Sequence, residues 1–303
     1  MKPFLSFVFA IILVLLGGCA PRSGAPSAPD AQPTRASAYI QNKGSDTIVN
    51  LALAWAERYQ ELHPDVRISV TGGGSGTGIA AMIDGTVDIA NASRAMKAEE
   101  ISAARAKGIE PVEHVVARDA IAVIVNPANP VDQLTLEQIS LIYQGAINNW
   151  KEVGGEDRPI VRLSRETNSG THVYFLEEVL RLGQKENKAL FSMDTLLLPS
   201  SEGIIAEVMD NPNAIGYDGL GYVIPEVKVL GVAKHAGEPY VKPSVETVNS
   251  GEYPISRDLY MYTRKDAGQA VLDYLAWIKS SEAQKIVLKL GFVPIVGQSI
   301  TRK

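Results

Sequence analysis

Hydroxyl side chains, glycine and one arginine crowd three short stretches of this sequence: Gly44-Ser45-Asp46-Thr47, Gly74-Ser75-Gly76-Thr77-Gly78 and Arg165-Glu166-Thr167-Asn168-Ser169-Gly170-Thr171. Each stands where an extended run gives way to a helix start. The first turn of a helix has N–H groups without partners and about half a positive charge, so each stretch offers N–H donors, a short O–H donor and a favourable dipole. All three favour an anion, and Arg165 adds a guanidinium able to donate two parallel bonds to a tetrahedral oxyanion. Taken singly, Ser, Thr or Asp before a helix is an ordinary N-cap, and Arg165 could be a surface residue paired with Glu166 or Asp157. Recurrence at three junctions favours a binding role.

The glycine-rich stretch TGGGSGTG (71–78) does not match the better-known catalytic loops. A Walker loop needs Lys-Ser/Thr after Gly78, where Ile79-Ala80 stands, and the dinucleotide spacing does not fit. An esterase elbow needs glycine where Thr77 stands. An anion nest without a catalytic lysine or an obvious base survives, which implies a binding protein and no enzyme. His63, His114, His172 and His235 are widely spaced and fit no metal pattern, so neither metal nor cofactor is expected. His172 reads as a solvated first-turn residue. Trp55, Trp150 and Trp277 read as core or half-buried packing, with Trp150 near a moving cleft as a further option.

The elements that must position these loops alternate. Tyr39 to Gln41 reads as a short strand, followed by a helix carrying Ile48, Leu51, Ala52, Trp55, Tyr59 and Leu62 and stopped at His63-Pro64. VRISV (66–70) is a strand, the helix from Thr77 ends at Asp84-Gly85, and TVDIA (86–90) is the next strand, with NASR (91–94) as its exit loop. A helix over 97–108, the apolar PVEHVV (111–116) and the buried-strand run AIAVIVN (120–126) continue the pattern. NPANPV (126–131) is a break, placed as the first crossing between two lobes; LYMYT (259–263) is a late strand, and a helical pattern runs from 267 to 290. Such alternation implies a mostly parallel sheet covered by helices.

The 303 residues are 46% hydrophobic and 21% charged, a globular composition long enough for two lobes. The formal net charge of −5 and the lack of a basic stripe argue against nucleic acid as a partner. Residues 1–18 read as an export signal, with Lys2 ahead of the apolar run Phe4 to Leu16. The single cysteine, Cys19, stands where bacterial lipoprotein signals place the lipidated cysteine; an ordinary cleaved signal that happens to contain a cysteine is the alternative. Residues 19–38, rich in Pro, Ala and Ser, read as a tether. The expected location is outside the cytoplasm, lipid-anchored to a bacterial membrane on its periplasmic or outer face.

GSDT before an amphipathic helix, GGGSGTG with DGTVDIANASR, NPANPV followed by LTLEQISLIYQGAINNWKEVGG, RETNSGTHVYF, and NAIGYDGLGYV, in that order, resemble the phosphate-binding component of bacterial phosphate ABC importers, the PstS-type family. The match runs over about 39–303. The resemblance implies a type II periplasmic-binding fold: two α/β lobes joined by two crossover strands, with the ligand cleft between them. Residues 39–122 and 258–303 would form one lobe and 123–257 the other. It further implies a monomer that binds inorganic phosphate and passes it to the membrane permease. Carried over by position, Ser45, Asp46 and Thr47 are the first binding loop, Ser75 with the amides of Gly74 and Gly76 the second, Ser93 and Arg94 the third, and Arg165, Ser169, Gly170 and Thr171 the fourth. Members with the best-understood site carry a carboxylate after the third-loop serine to accept the proton that phosphate retains; Arg94 stands there, as in a shorter branch, and implies a second cationic donor. Asp46 is then either the proton acceptor or an N-cap. Receptors for another oxyanion such as sulfate, a phosphate-ester hydrolase and a phosphate-sensing surface protein are the competing readings.

Overall fold

The computed structural model of the chain describes residues 38–295, so the export signal, Cys19 and the tether up to residue 37 lie outside the described residues. The first third builds β1 (Ala38–Gly44), α1 (Asp46–Leu62), β2 (Val66–Thr71), α2 (Ser75–Ile83), β3 (Ile89–Ala92) and α3 (Ala98–Ala106). α1 buries Ile48, Leu51, Ala52, Trp55, Ala56 and Tyr59 on one face, as the three- and four-residue spacing requires. Its end is closed by the His63 N–H to the Tyr59 carbonyl, just before Pro64. α2 starts at Ser75, ahead of the expected Thr77, which puts the serine itself in the first turn. β3 starts three residues later than the 86–90 reading and takes in Asn91 and Ala92.

The runs PVEHVV and AIAVIVN are one strand, β4 (Pro111–Val125). The polar Arg118-Asp119 lies between them, and Asp119 is fully buried within the strand. β4 sends Ala122 and Ile124 into one apolar core and Ile121, Val123 and Val125 into a second, so alternation serves two interiors at once. Beyond it come β5 (Gln133–Thr135), α4 (Leu136–Tyr143), β6 (Val161–Arg165), α5 (Gly170–Tyr174), β7 (Leu196–Leu198), α6 (Ser201–Asp210), β8 (Ala214–Gly219), β9 (Lys228–Val229), β10 (Gly231–Ala233) and α7 (Val245–Asn249). α4 opens with a capping box: the Gln138 N–H donates to Thr135 Oγ1 at 3.2 Å and the Thr135 N–H to Gln138 Oε1 at 2.9 Å. β11 (Ser256–Arg264), α8 (Gln269–Ile278) and α9 (Ser281–Lys289) complete the described chain. The single helical pattern of 267–290 is therefore two helices, because Ser280 caps a new start by accepting the Ala283 N–H at 3.3 Å.

The sheet order is β2-β1-β3-β11-β4-β8-β6-β7. Its flanks, β2-β1-β3 and β8-β6-β7, are parallel as expected, but β11 runs antiparallel to both β3 and β4, and β4 antiparallel to β8. β4 pairs with β11 up to Ala120 and with β8 from Ile121, so one strand belongs to both halves of the sheet. Trp150 is fully buried, its Nε1 donating to the Asn213 carbonyl at 3.0 Å. The carboxyl ends of β1, β2, β3 and β6 lead into the four loops singled out in the sequence, the arrangement in which open α/β sheets bind ligands.

Candidate functional site

The first loop turns at Gly44, whose φ of 145° and whose closeness to Asn91 exclude a side chain: a Cβ there would lie 2.1 Å from the Asn91 carbonyl oxygen. Ser45 is buried at the N-cap position of α1 and makes no capping bond through its side chain. Asp46 does not cap the helix either. Its Oδ1 accepts the Gly73 N–H at 2.9 Å and its Oδ2 accepts Arg165 Nη2 at 2.9 Å, so both oxygens are taken by the protein. Thr47 Oγ1 lies 2.8 Å from Thr171 Oγ1, a hydroxyl pair joining the first loop to the fourth.

Ser75 is fully buried; its Oγ accepts the Ser93 N–H at 3.0 Å and lies 3.3 Å from Ser93 Oγ. The fourth loop closes on this pair. A Cβ on Gly170 would stand 2.3 Å from Ser75 Oγ and 2.6 Å from Ser93 Oγ, distances that leave room only for hydrogen. The glycine-rich loop meets the same neighbour, since the Gly76 N–H donates to the Asn168 carbonyl at 3.0 Å and Asn168 Nδ2 to the Gly73 carbonyl at 3.0 Å. Gly74 (φ 89°) would place a Cβ 2.8 Å from that Asn168 oxygen. Ser169 caps α5, accepting the Thr171 N–H at 3.2 Å and the His172 N–H at 3.5 Å.

Arg165 is 1% exposed. Its Nη1 donates to Ser201 Oγ at 2.8 Å, its Nη2 to Asp46 Oδ2 and the Pro199 carbonyl, both at 2.9 Å, and its Nε is buried without a partner. Asp218, also fully buried, lies 3.5 Å from Nη1 through Oδ2 and accepts Ser201 Oγ at 3.0 Å through Oδ1. Burial raises the Asp218 pKa, against the pull of Arg165. The surface pairings with Glu166 or Asp157 are thus replaced by buried ones.

Arg94 differs from the second-donor expectation. Its guanidinium forks onto Glu100 at 2.8 and 2.6 Å and also donates to the Ala95 carbonyl. Burial alone would raise the Glu100 pKa, but the bonds from Arg94 and from the Lys97 N–H outweigh it and hold the carboxyl below its usual range. His172, read as solvated, is instead buried, its Nδ1 3.0 Å from Ser164 Oγ, and burial lowers its pKa. Among the described residues no group of three or more His, Cys, Asp or Glu could hold a metal ion, and no helix is long and apolar enough to cross a membrane.

Two residues at this cluster were not singled out from sequence: Arg257 on β11 and Asp119 on β4, paired at 3.0 Å. Burial pushes the Asp119 carboxyl up to about 6 against the opposing pull of Arg257. A signal existed in SRDLYM, where Arg257 falls in the same two-residue phase as the buried Leu259 and Met261.

Hydroxyls, helix starts and buried arginines gathered at the strand ends of this sheet define a periplasmic-binding type of solute receptor. The PBP superfamily domain model matches residues 29–282. The phosphate-binding protein PstS of Pseudomonas aeruginosa is 32% identical over 288 residues, covering 89% of this chain and 87% of that protein. PstS of Bacillus subtilis is 31% identical over 307 residues, covering 99% and 96%. A crystal structure of a putative phosphate ABC transporter substrate-binding protein from Clostridium perfringens, solved with bound phosphate, superimposes with a TM-score of 0.76 at 33% identity over 85% of this chain and 100% of that one. The chain belongs to the PstS family of phosphate-binding proteins within the PBP superfamily.

Proposed function

We propose that this chain is the receptor of an ABC-type phosphate importer: it traps inorganic phosphate outside the cytoplasm and hands it to the membrane permease. The observation that carries this reading is the meeting of the four loops. Thr47 with Thr171, Ser75 with Ser93, and Gly170 against both serines bring short hydroxyls and helix starts to one buried place, and Arg165 is tied to the first of these loops through Asp46. Donors fixed in advance at a site without bulk water bind an oxyanion strongly because they need no rearrangement. Ser45, Thr47, Ser75, Ser93, Ser169 and Thr171, with the amide of Gly170, surround the anion in this reading, whereas the amides expected of Gly74 and Gly76 are spent on the carbonyls of Gly44 and Asn168, both at 3.0 Å. Asp46 and Arg94 hold the loops in place through Arg165 and Glu100.

Binding without catalysis is supported by the same contacts, since Ser75 Oγ accepts from Ser93 and sits beside another hydroxyl instead of a base. Closure would be a hinge of 39–122 with 258–303 against 123–257, turning about β4 and β11, with Cys19 lipidated and 19–38 as tether. Isothermal titration is the test: one-to-one phosphate binding that survives excess sulfate is expected. Equal competition by sulfate would replace phosphate with a broader oxyanion specificity, and release of phosphate from an aryl ester, lost in Ser75→Ala, would make the protein a hydrolase.

A further inference from the structure

We propose that Arg257 is a positioning residue of the anion site, supplying the second cation expected from Arg94 and orienting the Thr47–Thr171 hydroxyl pair so that its one free hydrogen faces the ligand. The inference rests on the anion-binding reading above and concerns residues that none of the four loops contains.

Arg257 enters from β11, the strand at the middle of the sheet, and touches three of the four loops at once. Its Nη1 donates to the Ser93 carbonyl at 2.9 Å; its Nη2 donates to Thr171 Oγ1 at 2.9 Å, lies 3.4 Å from Thr47 Oγ1 and donates to Asp119 Oδ2 at 3.0 Å. The guanidinium carbon lies 5.4 Å from the Tyr174 ring centroid, which braces the plane from one side. Its Nε is buried with no partner, a donor left over in a place where unpaired donors are costly.

The hydroxyl bookkeeping gives the role. Thr47 and Thr171 together have two O–H hydrogens, and one of them serves the bond between the two oxygens. Arg257 fills a lone pair on Thr171 Oγ1, so that oxygen accepts from the guanidinium and the second hydrogen is directed away from it. An anion is the acceptor that such a hydrogen, the helix-start amides and a fixed positive charge would all favour. Arg94, by contrast, spends both terminal nitrogens on Glu100. Asp119 holds the Arg257 plane, with its Oδ1 fixed by the Leu220 N–H at 3.1 Å.

The test compares the parent chain with Arg257→Gln and Arg257→Lys by calorimetric titration with phosphate and with sulfate, alongside thermal unfolding without ligand. Arg257→Gln is expected to weaken anion binding roughly 10- to 100-fold, the worth of hydrogen bonds made by a charged group. Arg257→Lys keeps a charge opposite Asp119 but cannot span Ser93, Thr171 and Asp119 together, so it should fold and recover part of the loss. If Arg257→Gln fails to fold, Arg257→Lys decides: a loss of about tenfold supports the role. Affinity unchanged within threefold in the folded variants, whatever happens to the unfolding temperature, overturns it and leaves Arg257 a purely structural residue. A parent chain that binds neither anion overturns both readings, whereas a parent that binds sulfate alone replaces the phosphate assignment and leaves Arg257 to be judged with sulfate.

Discussion

Arg165 and Arg94 were equivalent in the sequence, each a cation in a loop that follows a strand, and the structure treats them differently. Arg165 is tied to carboxylates distant along the chain, Asp46 from the first loop and Asp218 from the end of β8. Arg94 is tied to Glu100, six positions on, in the first turn of α3. The distant pairing binds separate loops into one site; the local pairing fastens one loop to its own following helix. An arginine's place in a motif therefore says less about its role than the sequence distance to its counter-ion.

The largest expected difference is between removing one and removing the other. Arg165→Ala should lower phosphate affinity by more than about 100-fold and cost about 3–5 kcal/mol of stability, because Asp46 and Asp218 lose the charge between them. Titration and urea unfolding check both, and affinity within threefold of the parent would end the distinction. Gly170→Ala comes next: its methyl would stand 2.3 Å from Ser75 Oγ, a clash expected to cost roughly 1–3 kcal/mol of binding and seen as the corresponding rise in Kd. Arg94→Gln should cost about 1–2 kcal/mol in unfolding and weaken binding at least tenfold less than Arg165→Ala does. A loss equal to that of Arg165→Ala would restore the two arginines to the same rank.

The smallest effect is in pH. Asp119, raised to about 6 by burial, contributes stability that is complete below the unfolded carboxyl value near ~4 and is lost as pH rises through its folded value. Glu100, held low by Arg94, works in the opposite sense: its contribution is present above the unfolded value and is lost as pH falls through the folded one. Going from about pH 5 to about pH 7.5 should cost the parent chain about 1 kcal/mol more stability than it costs Asp119→Asn. Denaturation midpoints of the two proteins at both pH values measure the difference, and parallel shifts would contradict it.

Much of the scaffold was legible because its signals are local. The α1 stripe, the stop at Pro64 and the hydroxyl-rich strand ends are each contained in a window of a few residues. Three things were not. PVEHVV and AIAVIVN stand as two runs in the sequence with a charged pair between them, and the counter-ion that lets Asp119 sit buried in one strand, Arg257, comes from another strand. Ser280 caps a helix inside a pattern whose apolar spacing ran on unbroken. The glycines of TGGGSGTG were expected to make room for a ligand, and those at 74 and 76 also make room for the backbone of Asn168. Pairing across the sheet decided each case, and no window of sequence contains it.

The buried ions of the site have a kinetic consequence. Arg94, Arg165 and Arg257 face Glu100, Asp46, Asp218 and Asp119, so the positive charge is already matched from within, and the whole chain has a formal net charge of −5. An approaching anion is repelled at long range and attracted only once it reaches the donors. Added salt screens repulsion over roughly 10 Å but penetrates little into buried contacts. Salt should therefore speed association while leaving the release rate nearly constant, the reverse of receptors that draw their ligand in by net charge.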